Sequence, residues 1–93
     1  MRFQVLNMRV LGRVQGVGFR YFTQRMARQH AVTGWVRNLP DGSVEIEAVG
    51  APDAMELFLR AVQEGPAFSH VERVEMEKGE VDEKMFSTFE IMD

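Results

Sequence analysis

Residues 12–20 read GRVQGVGFR, a glycine-rich stretch that joins two segments of different hydrophobic periodicity. Before it, apolar residues occupy alternate positions, which predicts a β-strand from about Gln4 to Arg13 with one face in the core. After it, apolar residues recur at three- and four-residue intervals, which predicts an amphipathic helix from about Tyr21 to His30. The stretch is therefore predicted to connect a strand tightly to a helix.

The same two periodicities continue along the rest of the chain. Strand patterns at about Thr33–Asn38 and Ser43–Val49 are separated by a Pro-Asp-Gly turn sequence, so they are predicted to form a hairpin. A second helix is predicted to begin at Pro52 and to end before Gly65, and a fourth strand to run from about Ser69 to Lys78. The residues that predict a short closing edge strand are Phe86, Phe89 and Ile91.

This order of elements predicts a fold class. Strand, helix, strand, strand, helix, strand is the split β-α-β arrangement of ferredoxin-like folds. We expect one α+β domain over residues 1–93, with two helices on one face of an antiparallel sheet. Because that fold serves enzymes, metal carriers and RNA-binding modules, it does not decide the function. The side chains predicted to face the core are Leu6, Met8, Val10, Val14, Phe19, Phe22, Met26, Ala27, His30, Val44, Ile46, Ala48, Met55, Phe58, Leu59, Val62, Val74 and Met76.

The composition excludes several kinds of site. The chain has no cysteine, which rules out disulfides, thiolate nucleophiles and cysteine metal sites. His30 and His70, without paired neighbours, do not form a metal motif. No apolar run approaches the about 20 residues of a membrane helix, and the N-terminus carries no secretory signal. We therefore expect a cytoplasmic protein that does not bind a membrane.

The charges are unevenly distributed. The formal net charge of −3 gives no electrostatic reason to bind nucleic acid. The last third is acid-rich from Glu72 to Glu90, whereas most arginines lie in the first 40 residues. A local positive region on an acidic chain favours a small anionic ligand over a polyanion. These arginines are Arg2, Arg9, Arg13, Arg20, Arg25, Arg28 and Arg37.

The glycine-rich stretch is a candidate anion site. Gly16 and Gly18 permit positive φ angles and a close approach of the backbone to a ligand. The following helix directs free N–H groups and the positive end of its dipole towards the loop, where a phosphate would bind. The spacing is neither that of a Walker loop nor that of the dinucleotide fingerprint. A turn used only for chain reversal is the alternative, and the residues alone leave both open.

Arg20 and Asn38 also have two interpretations each. A cation in the first turn of a helix is repelled by the positive end of the helix dipole, but an anion bound between the two would make the interaction favourable. The guanidinium of Arg20 could hold two oxygens of a phosphate. A solvated Arg20 side chain is the alternative. Asn38 ends the second predicted strand, where its carboxamide could orient a water molecule or cap the turn.

The two segments together resemble the acylphosphatase family. GRVQGVGFR at 12–20 is similar to its phosphate-binding loop, and GWVRN at 34–38 followed by DGSVE at 41–45 is similar to its second signature. The resemblance covers nearly the whole chain. It implies the hydrolysis of acyl phosphates to a carboxylate and inorganic phosphate, with no metal or other cofactor.

The resemblance also implies a role for each site residue. Arg20 corresponds to the arginine that binds the substrate phosphate, and Asn38 to the asparagine that positions the attacking water. We expect a monomer whose partner is a small-molecule acyl phosphate. His30, Ala31, Leu39 and Phe86 depart from common family residues without touching either side chain. The backbone N–H groups implied to form the phosphate cradle are those of Gln15, Gly16, Val17, Gly18, Phe19 and Arg20.

An RNA-binding or regulatory module on the same fold is the alternative function. The aromatic residues at 18–22 superficially resemble an RNA-recognition motif, but they are predicted to begin a helix, whereas bases stack on a sheet. Glu45 and Glu47 on the third strand would repel phosphates. A regulatory or carbamoyl-phosphate-processing module of a larger maturation enzyme would be accompanied by further domains, which we do not expect here.

Overall fold

A computed structural model describes residues 2–93 of the protein, and Met1 lies outside them. The predicted order of strands and helices is confirmed, with element bounds that differ from the predicted ones by up to three residues. Helix α1 begins two residues before the predicted start. The sequence does not mark this start because the N-cap residue is Gly18, which has no side chain to cap the first turn. The elements are β1 (Phe3–Arg13), α1 (Phe19–Gln29), β2 (Thr33–Asn38), β3 (Val44–Gly50), α2 (Pro52–Glu64), β4 (His70–Val81) and β5 (Phe89–Met92).

The five strands form one sheet in the order β4-β1-β3-β2-β5. The first four strands pair antiparallel, as predicted, with Met8 opposite both Ile46 and Met76. The closing strand β5 pairs parallel to β2, so the complete sheet is mixed. The direction of β5 follows from the path of the chain, because β4 ends at the end of the sheet where β2 begins. Phe86 lies before β5 rather than in it.

The hydrophobic core lies between one face of the sheet and the two helices, as predicted. The predicted side chains Phe22, Met26, His30, Leu59, Val74 and Met76 are half-buried. Thr23, which the helical stripe did not include, is fully buried, and its hydroxyl donates to the Phe19 carbonyl at 2.9 Å. The predicted residues that are buried are Leu6, Met8, Val10, Val14, Phe19, Ala27, Val44, Ile46, Ala48, Met55, Phe58 and Val62.

The antiparallel register brings several chain segments to one end of the sheet. Strands β1 and β2 both end there, and β3 and β4 both begin there. The start of α1 and the end of β5 lie at the same end. The glycine-rich connection after β1 therefore lies beside Asn38 and the turn between β2 and β3. Within residues 2–93, neither helix combines the length and apolar character needed to cross a membrane.

Helix α1 ends in a Schellman motif that has an alanine in the left-handed position. The Val32 N–H donates to the Ala27 carbonyl at 2.8 Å, and the Ala31 N–H donates to the Arg28 carbonyl at 3.4 Å. Ala31 has φ 57°, and it is exposed. Because the left-handed region costs an L-residue about 1–2 kcal/mol, glycine usually occupies this position.

Replacing Ala31→Gly is expected to raise the free energy of unfolding by up to about 1 kcal/mol. The substitution removes the left-handed strain, and the greater flexibility of unfolded glycine offsets part of that gain. Urea denaturation at pH 7 measures the change. Gly42→Ala, at φ 93° and with no heavy atom within 4 Å of the added Cβ, is the matched opposite substitution and should destabilise. A less stable Ala31→Gly variant would contradict this account of the helix end.

Candidate active site

The connection between β1 and α1, the predicted phosphate cradle, carries backbone N–H groups without acceptors in residues 2–93. Gly16 and Gly18 have φ of 75° and 78°, and a Cβ on either would meet no atom within 4 Å. These positions therefore need glycine for its backbone conformation, not for space. The Phe22 N–H makes the first helical bond, to the Gly18 carbonyl at 3.0 Å. The N–H groups of residues 15–20 donate to no acceptor in the described part of the chain.

Arg20 lies in the first turn of α1, directly beside this cradle. Its Nη1 donates to the Met92 carbonyl at 3.2 Å, which holds the guanidinium towards the end of β5. No carboxylate of residues 2–93 forms an ion pair with it. Since a guanidinium has several donors and one is occupied here, the rest are available to a ligand.

Asn38 contributes a buried oxygen without a partner. It is the last residue of β2, and its side chain is half-buried. Its Oδ1 is inaccessible to solvent and accepts no hydrogen bond from the residues that the structure describes. Leaving a buried acceptor unsatisfied costs about 1–3 kcal/mol, and few such atoms occur in a native protein. This unpartnered oxygen therefore sets Asn38 apart from the other polar residues of the described chain.

A single cleft of about 200 Å³ brings these groups together. The structure thus places Arg20, Asn38 and the glycine-rich connection side by side, as the sequence predicts, although β2 and α1 are separate elements. Gln15 and Val17 lie in the same connection, but neither residue lines the cleft. The lining residues are Val14, Gly16, Gly18, Phe19, Arg20, Tyr21, Asn38 and Ile91.

The side chain of Gln15 links the two halves of this site. Its Nε2 donates to the Leu39 carbonyl at 2.8 Å and to the Ser43 carbonyl at 2.9 Å. Both carbonyls belong to the turn that follows Asn38, so this side chain fixes the glycine-rich connection against that turn. The sequence predicted a role only for the backbone N–H of Gln15. Its side-chain bonds were missed because residue spacing does not show that this side chain reaches a carbonyl 24 positions along the chain.

The turn after Asn38 is itself held by a charged network. The Asp41 carboxylate accepts hydrogen bonds from the Ser43 hydroxyl and from the Ser43 N–H, the latter at 2.9 Å. It also pairs with the Arg9 guanidinium, which donates to the Ser43 hydroxyl at 3.2 Å. The two Ser43 bonds, followed by Arg9, lower the pKa of Asp41 to about 2. The carboxylate is therefore ionised at neutral pH and holds the turn closed.

The closing strand supports the opposite side of the cleft. Gln24 lies one helical turn after Arg20, and its Nε2 donates to the Phe89 carbonyl at 3.0 Å. Together with the bond from Arg20 to Met92, this ties the first turns of α1 to both ends of β5. The sequence predicted β5 as a cover for the core, and its contact with the site residue Arg20 was missed.

The sequence of the chain also matches a known protein family over nearly its whole length. A family model described as acylphosphatase matches residues 6–91. The chain belongs to the acylphosphatase family. The acylphosphatase of Salinibacter ruber is 56% identical to it over 72 residues, which are 77% of this chain and 76% of that protein. The acylphosphatase of Archaeoglobus fulgidus is 48% identical over 86 residues, or 92% and 94% of the two chains.

Solved acylphosphatases share the fold. The crystal structure of acylphosphatase from Bacillus subtilis matches with a TM-score of 0.91 at 39% identity and covers 97% of this chain and 99% of that one. The predicted family and the ferredoxin-like α+β fold are confirmed, and so is the prediction of an acylphosphatase enzyme. The roles predicted for Arg20, Asn38 and the N–H groups of residues 15–20 stay predictions.

Replacing Gln15→Leu is expected to lower the free energy of unfolding by about 2 kcal/mol. The substitution removes two half-buried hydrogen bonds of about 1 kcal/mol each, while both carbonyls keep a bond from a backbone N–H of the turn. Urea denaturation measures the change. Gln29→Leu, at an exposed position at the end of α1, is the matched control and should stay within about 0.5 kcal/mol of the unsubstituted protein. Equal stabilities of the two variants would contradict the linking role of Gln15.

Proposed function

We propose that this member of the acylphosphatase family hydrolyses the mixed anhydride between a carboxylic acid and phosphate, and that it does so without a metal ion. One observation carries the proposal. One cleft is lined by Asn38, by Arg20, whose guanidinium has no carboxylate partner among residues 2–93, and by residues whose backbone N–H groups have no acceptor there, namely Gly16, Gly18, Phe19 and Arg20. An acyl phosphate would supply acceptors for the free N–H groups and for the remaining guanidinium donors, and a water molecule would hydrogen-bond to the Asn38 carboxamide.

The phosphoryl group would bind in the cradle. The N–H groups of residues 15–20 would donate to its non-bridging oxygens, and the positive end of the α1 dipole favours the negative charge. Arg20 would add a charge-assisted bond and neutralise charge on the same oxygens. Phosphoryl transfer needs positioning and electrostatic stabilisation more than covalent chemistry, so these groups suffice for much of the catalysis.

Asn38 would place the attacking water. Its carboxamide, which belongs to the lining of the cleft, would hydrogen-bond to the water and orient the water oxygen towards phosphorus, in line with the leaving group. The new bond forms between the water oxygen and phosphorus, and the bond between phosphorus and the acyl oxygen breaks. The carboxylate leaves with the bonding electron pair. A phosphoryl oxygen would take the water proton.

The carboxylate leaving group explains why the cleft can lack a general acid. A carboxylate is a weak base, because the pKa of its conjugate acid is about 4, so it departs without being protonated. The neutralising charge on the phosphoryl oxygens comes from Arg20 and the N–H groups. The weakly basic leaving group and the neutralisation of the phosphoryl charge by Arg20 and the N–H groups support a mechanism that needs neither a metal ion nor a proton donor.

We also infer that a single copy of the chain forms the whole site as one domain. Arg20, Asn38 and the cradle all come from residues 14–38 of the same chain. The open face of the sheet carries Glu45 and Glu47, which disfavour nucleic acid as a partner. The proposed partner is therefore the small acyl phosphate itself.

Replacing Arg20→Gln is expected to lower kcat/KM for acetyl phosphate by about 100-fold or more, measured in excess EDTA. The guanidinium would stabilise charge that a neutral amide cannot, and loss of one such group typically costs that much. Asn38→Ala, in the same assay, should lower kcat more than it raises KM, because the orienting contact is made to the water rather than to the substrate.

Arg25→Gln is the matched control for this assay. Arg25 is exposed on the same helix and does not line the cleft, so its loss should change kcat/KM less than twofold. Full activity of the Arg20→Gln variant would refute the proposed phosphate contact. Loss of the unsubstituted protein's activity in EDTA, with recovery on adding a divalent cation, would refute the mechanism without metal.

A further inference from the structure

Gln24 bonds to the closing strand beside the proposed active site without belonging to the cleft. It lies four residues after Arg20 on α1, so the two side chains project from the same side of the helix. Its Nε2 donates to the Phe89 carbonyl at 3.0 Å, whereas Nη1 of Arg20 donates to the Met92 carbonyl at 3.2 Å. Gln24 is half-buried and does not line the cleft, so any effect on the reaction must pass through a neighbour.

The acceptor of the Gln24 bond is a carbonyl at the edge of the sheet. Strand β5 is the last strand of the sheet and pairs only with β2. The Gly34 N–H donates to the Thr88 carbonyl at 2.9 Å, and in a parallel ladder the next carbonyl, that of Phe89, then points away from β2. An edge strand leaves such groups without a strand partner. Gln24 therefore supplies a donor that the sheet does not.

The Phe89 carbonyl is also a firm anchor for α1. The ring of Phe89 is buried and packs edge-on against Phe58 of α2, with the ring centroids 6.0 Å apart. The core thus holds the start of β5, and the bond from Gln24 fixes α1 against that start. Met92, which orients Arg20, is the last residue of the same four-residue strand.

The two bonds share the work of joining α1 to β5. Among the side-chain hydrogen bonds of residues 2–93, those of Gln24 and Arg20 are the ones that join this helix to this strand. Without Gln24, the Arg20 guanidinium would have to hold the strand alone while it also binds phosphate. The Met92 carbonyl, and with it the direction of the free Arg20 donors, would then be less well defined. A misplacement of about 1 Å can cost a reaction up to 100-fold in rate.

We propose that Gln24 is a positioning residue for the reaction. Its bond to the Phe89 carbonyl fixes β5 against α1 and thereby sets the place of the Met92 carbonyl that orients the Arg20 guanidinium. The inference rests on the proposed hydrolysis of acyl phosphates and adds a residue outside the cleft on which that hydrolysis depends. Gln24 acts through Arg20 and not through Asn38, which ends β2.

The first test replaces Gln24→Met, which keeps an unbranched side chain of similar length and removes the amide N–H. The variant should lower kcat/KM for acetyl phosphate by about three- to tenfold, the loss expected from one hydrogen bond. It should weaken inhibition by inorganic phosphate by a similar factor, because Arg20 would contact both phosphates. Gln29→Met, at an exposed position at the end of the same helix, is the matched control and should change neither quantity by more than about twofold.

Two double variants show whether Gln24 acts through Arg20. In an Arg20→Gln background, Gln24→Met should change kcat/KM by less than about twofold, because no guanidinium is left to position. In an Asn38→Ala background, the same substitution should keep its full loss. Thermal denaturation should show an equal loss of stability in all three backgrounds. A merely structural role would lower the Tm without this pattern in the activity, which is measured well below every Tm.

Three outcomes would overturn the inference. One is a lower Tm for Gln24→Met with an unchanged kcat/KM. Another is an equal loss of activity from Gln24→Met in the Arg20→Gln background, because Gln24 would then act without Arg20. The third is full activity of Gln24→Asn, which keeps the amide but shortens its reach by one methylene, and this variant decides the matter if Gln24→Met folds poorly.

The same measurements separate the inference from the proposed function. Absence of hydrolysis by the unsubstituted protein, or full activity of Arg20→Gln, would refute the proposed function, and the inference would fail with it. Hydrolysis that depends on Arg20 but not on Gln24 would leave the proposed function standing and refute the inference alone.

Discussion

The rest of the site depends on a short run of backbone N–H groups that find no acceptor among residues 2–93. They lie where β1 turns into α1, and the left-handed conformations of Gly16 and Gly18 keep them there. Unsatisfied donors are expected at a helix N-terminus, where they usually bind water or a capping side chain. Here no side chain caps the helix, so the donors remain open to a ligand. A cationic residue, Arg20, stands beside them, where the helix dipole alone would favour an anion.

The surrounding contacts hold this open arrangement from two sides, the turn after Asn38 and the strand β5. Gln15 bonds the connection to the turn that follows Asn38, and the ionised Asp41 closes that turn through Ser43 and Arg9. On the far side, the carbonyls of β5 orient the start of α1. A catalytic group must be held in position by its neighbours to be effective. These contacts supply that rigidity, whereas the N–H groups of the connection and the remaining donors of Arg20 have no protein acceptor among residues 2–93.

The sequence predicts the strands, the helices and most of the core, because their periodicities are regular and their turn residues are specific. It also places Arg20 and Asn38 near each other, because Arg20 comes shortly after β1, Asn38 ends β2, and both strands end at the same end of the sheet. It does not predict Thr23 in the core, because a hydroxyl that bonds back to its own helix is invisible to a count of apolar residues. The bonds from Gln15, Gln24 and Arg20 to distant carbonyls are equally hidden, since they depend on side-chain reach in the finished fold. The parallel pairing of β5 with β2 depends on the path of the chain from the end of β4 to the opposite edge of the sheet, and no local sequence pattern predicts that path.

A titration with inorganic phosphate, followed by the backbone amide resonances, tests the central claim most directly. The account predicts that the amides of residues 15–20 shift saturably, at one shared dissociation constant, and that the Arg20→Gln variant weakens that binding while its other amide resonances stay in place. Amides that do not respond to phosphate, or shifts spread over the surface arginines without saturation, would contradict the claim that this turn is an anion site.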